Sequence, residues 1–240
     1  GGEVVVDLVG GWADAERTRQ WEPDTLVAVY SVGKAFLALL VLQLVDEGRL
    51  ALDEPIAEVW PEFGVGGKEH ATVAHALTHR AGVPAIREAL TDDDLFDWDR
   101  MVTALASTEA WYVPGERVIY HTNTFGHLLG ELVRRVCGEL PGARLRSVVD
   151  PLDADVWFGV PDGEQHRCAE VIWAPPTPMP AIPDVSQLEG DVLLNVLAHF
   201  NPPGYSSVGL VNTPTWRSAQ IGSTSGQATA AGIARTYQAL

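Results

Sequence analysis

The segment Ser-Val-Gly-Lys-Ala-Phe-Leu-Ala-Leu-Leu-Val-Leu-Gln-Leu-Val-Asp-Glu, from Ser31 to Glu47, constrains the fold of this chain more than any other. It reads as a helix that is apolar nearly all round and ends at Gly48 as a left-handed cap. Such a helix has to be surrounded by protein. The uninterrupted apolar run, Ala35 to Leu42, stops at Gln43 and Asp46, far short of the ~20 residues that a membrane span requires. The expectation is a core helix with the rest of the chain wrapped around it, and 240 residues suffice to bury a core of that size.

Composition narrows the function classes. The chain is 46% hydrophobic and 20% charged, which is globular, and its 16 basic against 32 acidic side chains leave a net charge of −16. That balance argues against a nucleic-acid binder, because neutralising phosphates takes clustered Lys and Arg. It argues equally against adsorption to anionic lipid, so neither nucleic acid nor membrane is an expected partner. Cys137 and Cys168 form no CxxC pair and read as reduced thiols. The start, Gly1-Gly2-Glu3-Val4-Val5-Val6, lacks the basic and apolar regions of a signal peptide. A cytoplasmic location is expected.

The chain reads as one domain over 1–240 in three stretches. Residues 1–48 hold a strand hairpin, from the Val-rich Glu3 to Leu8 and the β-prone Thr25 to Tyr30, followed by the core helix. Residues 49–173 form a helical region, with helices opened by Asp53 and Pro55, over Thr72 to Arg80, over Thr91 to Ala106 and over Thr124 to Val136. The third of these has an acidic first turn, Asp92-Asp93-Asp94, suited to the positive end of a helix dipole. Residues 174–240 supply a connection with five prolines in 174–184 and return helices at Val192 to His199 and Ala228 to Leu240. Strands are expected only near the beginning.

Ser31-Val32-Gly33-Lys34 places a Ser-x-x-Lys at the mouth of the core helix. Three residues is nearly one helical turn, so the amine and the hydroxyl share a face. A serine at a helix N-terminus faces unpaired N–H groups and the positive dipole end, which favour a developing anion. For Lys34 to accept a proton its pKa must fall from ~10.4 toward ~7, and burial among residues such as Ala35, Phe36 and Leu37 supplies that. The chain has only two lysines, Lys34 and Lys68, and nine serines, so the pairing is unusual by chance. An ordinary lysine snorkelling from a helix end is the bland alternative. Further along, Pro114-Gly115-Glu116-Arg117-Val118-Ile119-Tyr120-His121-Thr122-Asn123-Thr124 puts Tyr120 on a turn between an extended segment and a helix, where a phenol can carry protons.

With Leu77-Thr78-His79-Arg80-Ala81-Gly82-Val83-Pro84, these segments resemble the serine β-lactamase and penicillin-binding-protein superfamily, most of all the class C β-lactamase-like carboxylesterases called family VIII esterases. The resemblance implies an α/β (α+β type) β-lactamase/transpeptidase-like fold, with a helical region packed on an antiparallel sheet. It implies Ser31 as nucleophile, Lys34 as base or proton relay and Tyr120 as its partner. The Ser31 backbone N–H would form half of an oxyanion hole, and His121 and Asn123 are candidates for the substrate side. The lactamase pattern Tyr-x-Asn is broken, since Thr122 stands two places after Tyr120 and Asn123 one further on. That departure favours simple esters over lactams.

The third element of the superfamily, Lys or His followed by x-Gly on a core strand, is missing, as are the strands that should follow Ala228 to Leu240. The chain thus reads as the first two-thirds of a domain with an unfinished sheet, to be completed by a C-terminal segment or a second copy. The expected function is hydrolysis of small carboxylic esters without cofactor or metal. A D-amino-acid peptidase or weak β-lactamase is the alternative within enzymes, and a non-catalytic binding member or inactive fragment is the alternative outside them. Other signals carry less. Gly222-Ser223-Thr224-Ser225-Gly226 has a threonine where a nucleophile elbow needs serine. His75 and His79 share a helix face but lack a third metal ligand. Gly126 and Gly130 fit close helix packing.

Overall fold

The computed structural model describes residues 4–173 and 184–240. All but the last residue of the proline-rich connection lies outside them. Among the described residues the helices are α1 (Gly33–Asp46), α2 (Ile56–Val59), α3 (Val73–Leu77), α4 (Asp92–Leu95), α5 (Trp98–Ser107), α6 (Thr124–Cys137), α7 (Pro141–Val149), α8 (Gly190–Phe200), α9 (Pro214–Ser218) and α10 (Ala230–Gln238). Three two-residue strands, β1 (Val27–Ala28), β2 (Val156–Trp157) and β3 (Gln227–Ala228), form an antiparallel sheet in the order β1-β3-β2. Ala228 lies between Val27 and Val156 in register. The expected helical region on an antiparallel sheet is present, with a small sheet.

The strands depart from expectation. Val4 to Leu8 form no strand and stand exposed, so the hairpin at the start does not form. High β-propensity is realised only where a neighbour supplies pairing, and a lone hairpin is marginal. Nor are strands confined to the beginning, since β1 pairs with a segment some 200 residues further on. Ala228, the first residue of the expected last helix, is instead drawn with Gln227 into β3, and Thr229 caps the helix that remains by accepting the Gly232 N–H at 2.9 Å.

The helical core centres on α1 and α6. Phe36, Leu37, Leu40, Val41 and Leu44 of α1 are buried against Phe125, Leu128, Leu129 and Leu132 of α6 and their neighbours. The core helix is not covered on every side, because Ala35 and Leu42 are exposed. Small residues set the packing distance on α6: a Cβ on Gly126 would stand 2.5 Å from Ser223 Oγ, and one on Gly130 2.5 Å from the Trp98 ring. The helix expected over Thr91 to Ala106 is two. Thr91 and Asp94 form a capping box for α4, while Asp97 accepts the Arg100 N–H at 2.9 Å and starts α5 afresh. Two competing N-caps within one periodic stretch break it.

β1 and β3 together place the turn 222–226 beside the mouth of α1, where the Val29 N–H donates to the Gly226 carbonyl at 2.9 Å. No helix among the described residues is long and apolar enough to cross a membrane.

Candidate active site

Ser31 sits in a one-turn 3₁₀ helix, Tyr30–Val32, that leads into α1. Tyr30 just before it has φ +46°, a left-handed conformation costing on the order of 1–3 kcal/mol that persists only where surroundings over-determine it. Those surroundings are visible: the Val32 N–H donates to the Val29 carbonyl at 3.1 Å, and the Tyr30 and Ser207 hydroxyls lie 3.2 Å apart. The turn leaves Ser31 exposed while Gly33 and Lys34 just after it are buried.

Lys34 is 7% exposed and its Nζ makes three polar contacts. It lies 3.1 Å from Ser31 Oγ and donates to the carbonyls of Thr122 at 2.6 Å and Ser223 at 3.3 Å. Burial lowers its pKa from 10.5 to about 8. A neutral amine has two donors and one lone pair, so the two carbonyls take the donors and the lone pair faces the Ser31 hydroxyl. Protonation reverses only the bond to Ser31. The site therefore accommodates both states of a proton acceptor.

Tyr120 lies on the loop before α6, 48% exposed, and the Lys34 ammonium sits 4.8 Å from its ring centroid. His121 and Asn123, expected on the substrate side, lie deeper. His121 is fully buried and Asn123 1% exposed, so neither side chain lines the open face. The Asn123 side-chain amide donates to the Ala198 carbonyl at 2.8 Å, and the Asn123 main-chain carbonyl accepts the Ser223 hydroxyl at 2.8 Å. His121 Nδ1 and the Ile119 carbonyl are 2.7 Å apart, and burial lowers the imidazole to about 4. The tight turn into α6 faces these two side chains inward and leaves Tyr120 outward.

The Ser223 and Thr122 carbonyls hold Lys34, yet neither was expected at the site. Main-chain acceptors carry no residue signature, although Gly222 and Gly226, which flank Ser223, mark a close backbone approach. The position of Gly33 reports the same closeness. A Cβ there would overlap the Gly222 carbonyl oxygen. Gly33→Ala gains at most ~1 kcal/mol of helix propensity but forces α1 from a rigid backbone atom, at a cost of about 1–3 kcal/mol. The variant is expected to melt several degrees lower, and an unchanged melting temperature would contradict the contact.

Among the described residues no group of three His, Cys, Asp or Glu side chains is placed to hold a metal ion. His75 Nδ1 accepts the Thr72 N–H at 3.2 Å in the α3 capping box, and His79 Nδ1 accepts the His121 N–H at 3.1 Å. Each of the two histidines thus spends a ring nitrogen on a backbone N–H.

The Beta-lactamase family profile matches residues 1–240. The chain belongs to the beta-lactamase family. Within that family it is 32% identical to the esterase/beta-lactamase LipL of Mycobacterium tuberculosis (strain ATCC 25618 / H37Rv), over all of this chain and 56% of LipL. The crystal structure of a family VIII carboxylesterase superposes with a TM-score of 0.83 at 36% identity, covering 96% of this chain and 59% of that one. A penicillin-binding-protein homologue from Caulobacter crescentus gives 0.80 at 41% identity, with 94% of this chain and 58% of that one covered. These likenesses establish the β-lactamase/transpeptidase-like fold and the family VIII esterase-like branch. The beta-lactamase-family chain described here spans a little over half the length of these relatives.

Proposed function

We propose that the protein is a serine hydrolase that cleaves small carboxylic esters through an acyl-enzyme on Ser31. The observation that carries this reading is Lys34 Nζ, buried and steered by two carbonyls to 3.1 Å from Ser31 Oγ. Neutral Lys34 takes the Ser31 proton as Oγ bonds to the ester carbonyl carbon. The Ser31 backbone N–H receives the charge that develops on the carbonyl oxygen. When the tetrahedral intermediate collapses, the C–O bond to the alcohol breaks and that oxygen leaves with a proton passed from Lys34 by way of Tyr120. A water molecule then gives one proton to the same pair as its oxygen bonds to the acyl carbon, and when the bond from that carbon to Ser31 Oγ breaks the pair returns the proton to Oγ, releasing the acid and restoring Ser31. Esterase names among the relatives support the substrate class.

The decisive experiment treats the full-length protein with a fluorophosphonate and maps the modified peptide. Label is expected on Ser31 and lost in Ser31→Ala, together with p-nitrophenyl ester hydrolysis. Label retained at another serine would sink the assignment. The names of LipL and the Caulobacter homologue also carry lactamase and penicillin binding. Stable acylation of Ser31 by a fluorescent penicillin would favour a D-amino-acid peptidase or weak β-lactamase instead.

A further inference from the structure

His79 holds Tyr120 from both sides along the chain. It follows α3 in the left-handed region, φ +60°, which few non-glycine residues adopt. That conformation turns its carbonyl and its ring toward one segment. The carbonyl accepts the Ile119 N–H at 3.2 Å, and Nδ1 accepts the His121 N–H at 3.1 Å. Between those two anchors the Tyr120 ring rests on the imidazole, centroids 4.7 Å apart at 56°. Phe125 backs the imidazole at 4.8 Å, and the Tyr112 hydroxyl lies 3.5 Å from the His79 carbonyl. Burial, aided by the Lys34 charge, lowers the imidazole to about 4, so Nδ1 stays an acceptor near neutral pH.

We infer that His79 is the positioning residue that orients Tyr120 for proton transfer to the leaving alcohol. The inference rests on the ester-hydrolase reading above. Tyr120 sits on a loop and is half exposed, so its phenol needs an external hold, and ångström-scale misplacement of a catalytic group can cost about 100-fold. His79 supplies two backbone anchors and a packing face, and the strained φ is the geometric condition for all three.

The test uses the full-length protein and a series of acetate esters whose alcohols run from p-nitrophenol to ethanol. A phenol that protonates the leaving oxygen matters most where the alcohol is a poor leaving group. His79→Ala is expected to lower kcat/KM about 100-fold for ethyl acetate but less than about 10-fold for p-nitrophenyl acetate. His79→Phe, which keeps a ring against Tyr120 and removes only the acceptor, is expected to steepen the dependence in the same direction. His79→Asn, tolerant of a left-handed φ and carrying an acceptor oxygen, is expected to recover most of the parent profile. Equal losses on every ester in the folded variants, or none, would overturn the inference, and His79→Phe against His79→Asn decides it if His79→Ala does not fold. Fluorophosphonate labelling of Ser31 is expected in every folded variant. Its absence from the parent protein would count against the hydrolase reading rather than against His79.

Discussion

Lys34→Met is expected to lower kcat/KM for p-nitrophenyl esters about 1,000-fold, within the range that positioned proton transfer contributes. Methionine keeps the length and apolar stem but leaves Ser31 without a proton acceptor 3.1 Å from Oγ. Lys34→Arg should be as inactive, because a guanidinium keeps its proton in any accessible pH range. The pH profile separates this from general damage. With the Lys34 pKa lowered to about 8, kcat/KM should climb about tenfold per unit below pH 8 and level off above it. A Lys34→Met protein should keep only a flat residual rate. Stability carries the same signature with a defined sign. Between about 8 and 10.5 the unfolded chain binds a proton at Lys34 that the folded chain does not, so stability rises with pH across that window. Denaturation of parent and variant at pH 7 and pH 10 measures it, and parallel pH dependence in the two would contradict an acceptor held neutral by burial.

Contacts set by local geometry are legible in the sequence at this site, and those assembled by tertiary closure are not. Ser31 and Lys34 lie one helical turn apart, so their meeting follows from helix geometry alone, whereas Tyr120 came by family resemblance. The two carbonyls that steer Lys34 belong to Thr122 and Ser223, 88 and 189 positions away. Main-chain acceptors reached through tertiary closure leave no pattern in composition or periodicity. The resemblance that puts Tyr120 at the site also offers His121 and Asn123, but the tight turn into α6 buries both of those side chains. The same contrast runs through the fold. Capped, amphipathic helices such as α6 were visible, while β2 and β3 are two residues long and owe their existence to pairing partners.

Glu131→Ala is expected to cost about 1–3 kcal/mol of stability, chiefly by leaving the Trp98 indole N–H without its acceptor. Its carboxylate on α6 is fully buried and accepts four donors. Oε2 takes the Trp98 indole N–H at 2.9 Å and Arg134 Nε at 2.7 Å, while Oε1 takes Arg134 NH2 at 2.9 Å and Arg135 Nε at 2.8 Å. Burial alone would raise its pKa, but the bonds from Arg134, Arg135 and Trp98 outweigh it and hold the group below the usual 4.5. The ion is therefore the folded form, and its contribution is complete above the unfolded pKa and disappears as pH falls through the lowered one. Arg134 and Arg135 are partly exposed and also reach Asp99 and Glu62, so they can turn to solvent when the carboxylate goes. Trp98 cannot, because its ring is wedged against Gly130 and packs at a tilt on His127, centroids 5.2 Å apart. Glu131→Gln should recover part of the loss, since one oxygen still accepts while the amide nitrogen confronts an arginine donor. Urea denaturation at pH 7 orders the three proteins as parent, Gln, Ala, and a midpoint unchanged in Glu131→Ala would show that the α5–α6 contact holds without the ion.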